Sequence, residues 1–354
     1  MDKETTTIKP TRNYCLAFFE AIACILIVFI HARFPGTFGR IVESLGRFGV
    51  PLFFAVSGFF LIKESSTVEE VRAKLKKRII KILIIYLCCA LVQDTFSLIG
   101  ASQNGSVKEW ALEIFSWQNI LFYVFCNRPF VSVPLWFLLA MLNSYAIIYI
   151  FARHFINKKL LPVVIASFAF VFIVFRTIAI HYHLNINGHY LNSDDFYHSW
   201  FANGLIFICL GILIRRYSKY LALTPLWVTL LVLFISAVAM VGERMLYYHI
   251  FGDVISYYLF NIVFVITAFT LSIQKPLLFS KLIIMKIPDD WTMFVYVLHP
   301  GIMYAVEYVL RSNMDPIAFG WTYPLIVLSI TLILAIPLAF LLKLVKDKRK
   351  LKTA

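Results

Sequence analysis

Apolar residues in this chain fall into blocks, separated by short polar breaks. We read ten such blocks, near 14–32, 46–62, 79–99, 134–152, 160–180, 199–214, 225–242, 254–273, 291–310 and 321–342. A helix crossing a ~30 Å hydrocarbon core needs about 20 apolar residues, so each block reads as a transmembrane helix. The pattern predicts an all-α polytopic membrane protein with about ten transmembrane helices, forming a single domain over 1–354. Residues 1–11 read as a polar, mobile tail and 343–354 as a basic one. Between the third and fourth blocks, Val107 to Phe115 has the apolar spacing of a helix lying in the membrane interface. The apolar stretch 114–126 is too short for a comfortable span.

The basic residues test this arrangement. With the N-terminus inside, 25 of the 33 Lys and Arg fall on the inner side and 8 on the outer. Every inner segment holds at least three, the asymmetry that the positive-inside rule demands. Both termini are therefore expected in the cytoplasm, with the loops 100–133 and 181–198 external. The net charge of +14 then reads as topology and contact with anionic membrane lipids, not as nucleic-acid binding. A chain that is 61% hydrophobic and 15% charged departs from soluble composition in the same direction. The first block carries Glu20, is long, and lacks a small-residue cleavage site, so it reads as a retained span and not a signal peptide.

Cys15, Cys24, Cys88, Cys89 and Cys209 lie inside blocks, and Cys126 lies in an outer loop. Their spacing suits small apolar residues better than metal ligands. The loop 181–198 carries His181, His183, His189, His198, Asp194 and Asp195. It has no i, i+4 ligand pair of the usual helical kind. A polar external loop, or part of an acceptor site, is the preferred reading, and no metal is expected.

Ionisable groups inside spans are costly and mark candidate chemistry. His31 lies ~25 Å along the first span, near its outer end. Eleven residues before it, Glu20 falls on the same helix face, ~16 Å away. Arg78 and Lys81 share a face on a helix entering the membrane, with Lys74 and Lys77 beside them. Such a collar suits phosphate groups; lipid headgroups and topology could also account for it. His299, followed by Pro300, lies half-way along the ninth span, deeper than His31. Structural hydrogen bonding and a direct catalytic role both remain open for it. Asp94, Glu243 and Glu307 are acids at the level of His31, any of which could orient an imidazole.

Several of these segments resemble one family. Arg12-Asn13-Tyr14 followed by a span ending Phe29-Ile30-His31-Ala32 is similar to the start of the membrane acyltransferase-3 family. Val50-Pro51-Leu52-Phe53-Phe54-Ala55-Val56-Ser57-Gly58-Phe59 and Arg78-Ile79-Ile80-Lys81 resemble its next two motifs. Pro134-Leu135-Trp136-Phe137-Leu138 and Tyr296-Val297-Leu298-His299 resemble later ones. The resemblance implies a multi-pass enzyme of the cell membrane, bacterial inner or plasma membrane. It implies transfer of an acyl group, usually acetyl, from cytoplasmic acyl-CoA to a hydroxyl of a surface polysaccharide, lipid-linked sugar or similar acceptor. It assigns catalysis to the position of His31 and CoA binding to those of Arg78 and Lys81, with Lys77 and Lys74 adjoining. Glu20, Arg12, Asp94, Ser57, Trp136, Tyr296, His299 and Glu307 are candidates for supporting polar roles. Glu20 stands where the family usually has Arg or Lys, and a carboxylate there calls for a cation from another helix. A glycan transporter or flippase is the rival reading; a non-catalytic sensor or assembly partner is a weaker one.

Overall fold

The computed structural model describes residues 12–63, 65–127, 135–156, 160–171, 184–186, 189–191, 197–251, 258–311 and 314–353. Its elements are helical apart from one small antiparallel ribbon, β1 (Leu184–Ile186) with β2 (His189–Leu191). The expected mobile tail 1–11, residues 172–183 of the fifth block and its following loop, and the pair His181 and His183 lie outside the described residues.

The first helix, α1 (Tyr14–His31), starts where Asn13 caps it, its side chain accepting from the Leu16 N–H at 2.9 Å. The chain turns back through α2 (Gly36–Gly46) and α3 (Gly49–Phe59), broken at Arg47–Phe48. Then comes α4 (Val68–Gln103), whose start is fixed by a capping box between Thr67 and Glu70. The short helices α5 (Val107–Ile114) and α6 (Trp117–Cys126) follow, at the two stretches expected to be interfacial or too short to span. Next are α7 (Trp136–Ile150), α8 (Ala152–Ile156) and α9 (Leu160–Phe170). A π turn, Trp200–Leu205, runs into α10 (Ile206–Arg216). The chain ends with α11 (Ser218–Ala222), α12 (Leu226–Phe251), α13 (Leu259–Gln274), α14 (Trp291–Leu310) and α15 (Pro316–Thr353).

Among the described residues six stretches are long and apolar enough to cross a membrane: α1, α2 with α3 (Gly36–Phe59), α4, α12, α14 and α15. The blocks expected as spans four, five, six and eight form, among the described residues, shorter apolar helices of 15, 11, 11 (after its π turn) and 16 residues. At 1.5 Å per residue these described helices cover roughly 16–24 Å, less than the hydrocarbon core, and the fifth block continues into residues outside the described ones. Conversely, α4 and α15 run well beyond the blocks read from hydropathy, because their polar ends continue the helix into basic sequence.

Two contacts fix the centre of the bundle. A Cβ on Gly58 would lie 1.9 Å from the Ile208 carbonyl oxygen, and one on Gly211 would lie 1.9 Å from that of Ala55. Helices α3 and α10 therefore approach backbone to backbone, and only glycine fits at either position. Their apolar faces join α1, α7 and α13 in the main core, with Leu52, Phe54, Phe207 and Phe269 buried. A second core joins α1, α14 and α15 around Trp291, Val295 and Val327.

Candidate functional site

The second core sets the position of the histidines. Helices α1 and α14 run alongside each other in register: the Cys24 thiol points at the Thr292 carbonyl at 3.6 Å, seven residues before His31 and His299 respectively. The two imidazoles consequently meet, with ring centroids 5.3 Å apart and planes tilted by 35°. His299 is therefore level with His31 and not deeper. The sequence reading erred because it gave each helix its own start. Helix α14 begins at the level of Cys24 and extends ~16 Å past His299, so His31 lies well inside the bundle at that end.

His299 is fully buried. Its Nδ1 lies 3.1 Å from the Val295 carbonyl, which can only accept, so Nδ1 carries the proton. Its Nε2 is then a bare lone pair, buried and without a partner among the described residues. His31 is half-buried, closing the C-terminus of α1. Charged and ionisable groups whose fields reach it are His299, Arg47, His198 and Arg33. Neither imidazole bonds a carboxylate among the described residues. Glu243 accepts from the Leu259 and Phe260 N–H groups at the start of α13. Glu307 pairs with Arg311 at 2.5 Å. Asp94 is half-buried on α4.

An ionic cluster that the sequence reading did not single out adjoins this pair. Glu43 is buried and accepts from Arg47 at 2.7 Å and Arg244 at 2.8 Å, both buried; exposed Arg33 lies 3.7 Å away. Asn261 donates to the Arg47 carbonyl at 3.3 Å, tying the α2–α3 break to α13. The i, i+4 spacing of Glu43 and Arg47 was a usable signal for half of it; Arg244 is far away in sequence. His198 lies over Trp136, ring centroids 4.4 Å apart and planes tilted by 33°. Tyr296 packs edge-on to Phe137 at 5.4 Å and lies 6.0 Å from His299.

The basic stretch at the start of α4 is divided between two uses. Arg78 Nη1 donates to the Ser57 carbonyl at 3.0 Å and to the Tyr145 hydroxyl at 3.2 Å; that hydroxyl also meets the Ser57 hydroxyl. Arg78 thus clamps α3, α4 and α7 together. Lys74 reaches the Leu61 carbonyl at 3.4 Å, and Arg72 covers the carbonyls ending α7 at Tyr149 and Ile150. Lys77 and Lys81 are exposed. The expected phosphate collar therefore has its inner half engaged by protein oxygens and its outer half open. Arg12 is likewise held, by Asp289 and the Met285 carbonyl. Glu20 is half-buried, and no cation among the described residues pairs with it. Among the described residues no three His, Cys, Asp or Glu side chains converge as a metal site.

No curated protein and no solved structure matches the chain. The family model of the acyltransferase domain matches residues 13–343, nearly the whole length, and takes in both histidines, the Arg78 clamp and all but the last residues of the final candidate span. The chain belongs to the membrane acyltransferase-3 family, as a multi-pass membrane acyltransferase.

Proposed function

We propose that this enzyme transfers an acyl group, acetyl in the simplest case, from acyl-CoA to a hydroxyl of a glycan or lipid-linked sugar. The observation that carries the reading is the His31–His299 pair, with one bare ring nitrogen fixed by the Val295 carbonyl. His31, the more exposed ring, takes the proton as the acceptor oxygen attacks the thioester carbon. The new C–O bond forms, the C–S bond breaks, and the proton passes to the departing CoA thiolate. His299 Nε2, unpartnered among the described residues, accepts a hydrogen bond from His31 once that ring takes the proton. General-base catalysis of this kind contributes typically ~10²–10⁴-fold. The positive field of Arg47 at His31 favours the negative charge developing on the thioester oxygen.

The donor enters at the Arg12 end of α1, which the basic asymmetry assigns to the cytoplasm. Lys77 and Lys81 meet the CoA phosphates and Arg78 forms the inner edge of the entry. From Arg78 to Cys89, which packs near Tyr296, is ~16 Å along one face of α4, a length that an extended pantetheine arm covers. The acceptor approaches from the Arg311 end of α14. Nothing in the helix arrangement favours the transporter reading.

Purified protein in nanodiscs, supplied with acetyl-CoA and a glycan acceptor, tests this directly. Release of free CoA, coupled to acetyl ester formation and lost in His31→Ala, is the expected result. No CoA release from a folded wild-type protein, with any acceptor, would overturn the proposal.

A further inference from the structure

Among the described residues one acid is buried, Glu43 on α2, and the acyl-transfer steps give it no part. Both its oxygens are committed. Oε1 accepts from Arg47 Nη2 at 2.7 Å and Oε2 from Arg244 Nη2 at 2.8 Å. Arg244 is held at its other branch, where Nη1 donates to the hydroxyl of fully buried Tyr258 at 3.5 Å. The carboxylate is therefore fixed, and it fixes the tip of Arg47. That guanidinium lies 5.8 Å from the ring centroid of Tyr197, next to His198, another group whose field reaches His31. The backbone of Arg47 is placed as firmly, in the α2–α3 break between Gly46 and Gly49. A Cβ on Gly46 would lie 3.1 Å from the Leu26 carbonyl oxygen, and one on Gly49 3.2 Å from that of Ala23. The break is thus pressed onto α1 along the turns that lead to His31, an approach that side chains at the two glycines would oppose.

We propose that Glu43 is a positioning residue for acyl transfer, with Arg244 as its anchor: together they hold the Arg47 charge beside His31, facing the thioester oxygen as it turns negative. This rests on the acyl-transfer reading and adds to it the residues that keep Arg47 in place. Packing alone does not account for the cluster. Replacing buried ion pairs by well-packed apolar groups is often neutral or stabilising, so three buried ionised side chains point to a task beyond holding helices together. Their location supplies the task, because the pinned Arg47 is among the charges whose fields reach His31. A long arginine side chain stabilises a transition state best when it is aimed before charge develops; otherwise part of the gain is lost in reorienting it. Glu43, locked by Arg244, does that aiming.

The test uses the full chain in nanodiscs, reading CoA release from acetyl-CoA with a glycan acceptor present and counting turnover per folded molecule. Glu43→Gln keeps the shape and removes the charge. It should lower kcat about tenfold with KM for acetyl-CoA unchanged, less than the ~10²–10³ that loss of a direct oxyanion contact costs. Arg47→Gln should lower kcat at least as far. The double variant should fall no further than Arg47→Gln alone, because Glu43 acts through Arg47. A mere brace for the fold would lower the melting temperature and leave kcat of the folded molecules unmoved. Should Glu43→Gln fail to fold, Arg244→Gln takes its place in the cycle, with Arg244→Lys, which keeps a cation on Glu43, restoring most of the kcat. A wild-type kcat in the folded variant, a change confined to KM, or losses that multiply in the double variant overturns the proposal while the acyl-transfer reading stands. A folded wild-type protein that releases no CoA removes that reading, and this proposal with it.

Discussion

Around His31 the polar groups are enclosed. His299, Glu43, Arg47 and Arg244 are all buried; hydrogen bonds of the three charged residues join α2, α12 and α13, and His299 on α14 meets His31 on α1 ring to ring. At the start of α4 the cations form a graded series. Arg78 and Lys74 reach inward to protein oxygens, while Lys77 and Lys81 face outward. The first region cannot rearrange without stripping buried charges of their partners. The second can lose an outer lysine and keep its frame. A group that reacts needs the first kind of setting, because a fixed interior holds donors and acceptors in place before charge develops. A flexible phosphate-bearing donor suits the second, where solvated side chains adapt to it.

The sharpest way to break this contrast is at the histidines. His31→Ala should reduce acyl transfer by about 10²–10⁴-fold with CoA binding retained. His299→Gln should reduce it less, by weakening support for His31. A His31→Ala enzyme with near-normal turnover, beside an inert but folded His299→Gln, would show that the base is the other ring.

Next in size is the enclosed ion cluster. Glu43→Ala removes the carboxylate shared by two buried guanidiniums, and breaking such a pair costs about 3–5 kcal/mol. Thermal unfolding in detergent should register a large loss, with Glu43→Gln intermediate. A wild-type melting curve for Glu43→Ala would show the cluster to be solvated and the contrast between the regions misplaced.

The glycine contact between α3 and α10 sharpens the frame common to both. Gly211→Ala places a methyl against the Ala55 carbonyl and should cost about 1–3 kcal/mol, read as a lowered melting temperature.

The smallest effect is expected at the open half of the basic stretch. Lys77→Ala with Lys81→Ala should raise the Kd for acyl-CoA several-fold and reduce its salt dependence, with stability unchanged, because exposed charge contacts are worth ~1 kcal/mol or less each. Calorimetry at two salt concentrations checks it; an unchanged Kd at low salt would move the phosphates elsewhere, whereas unfolding would show that these lysines also brace the bundle.

Much of this was legible in the chain. Apolar blocks located α1, α4, α12, α14 and α15, since a bilayer accepts only long apolar helices whose backbone groups bond internally. His31, His299 and Arg78 stood out as ionisable residues in or beside apolar sequence, where such groups are rare. Helix lengths were less legible: hydropathy ends where lysines begin, but the hydrogen-bond ladder of α4 runs through them.

The sequence by itself therefore determined the class of molecule and the family, and singled out His31, His299 and Arg78 but not Glu43 or Arg244. Only the tertiary structure decided how they combine. His31 meets His299 because two helices pack in register across 268 positions, and Glu43 meets Arg244 across 201. The division of the basic stretch into a buried clamp and an open rim depends on where Ser57 and Tyr145 come to lie. Hydrophobicity is a property that each segment carries alone, so it can be read along the chain. Contact between distant side chains depends on the relative placement of packed helices, which no single segment specifies.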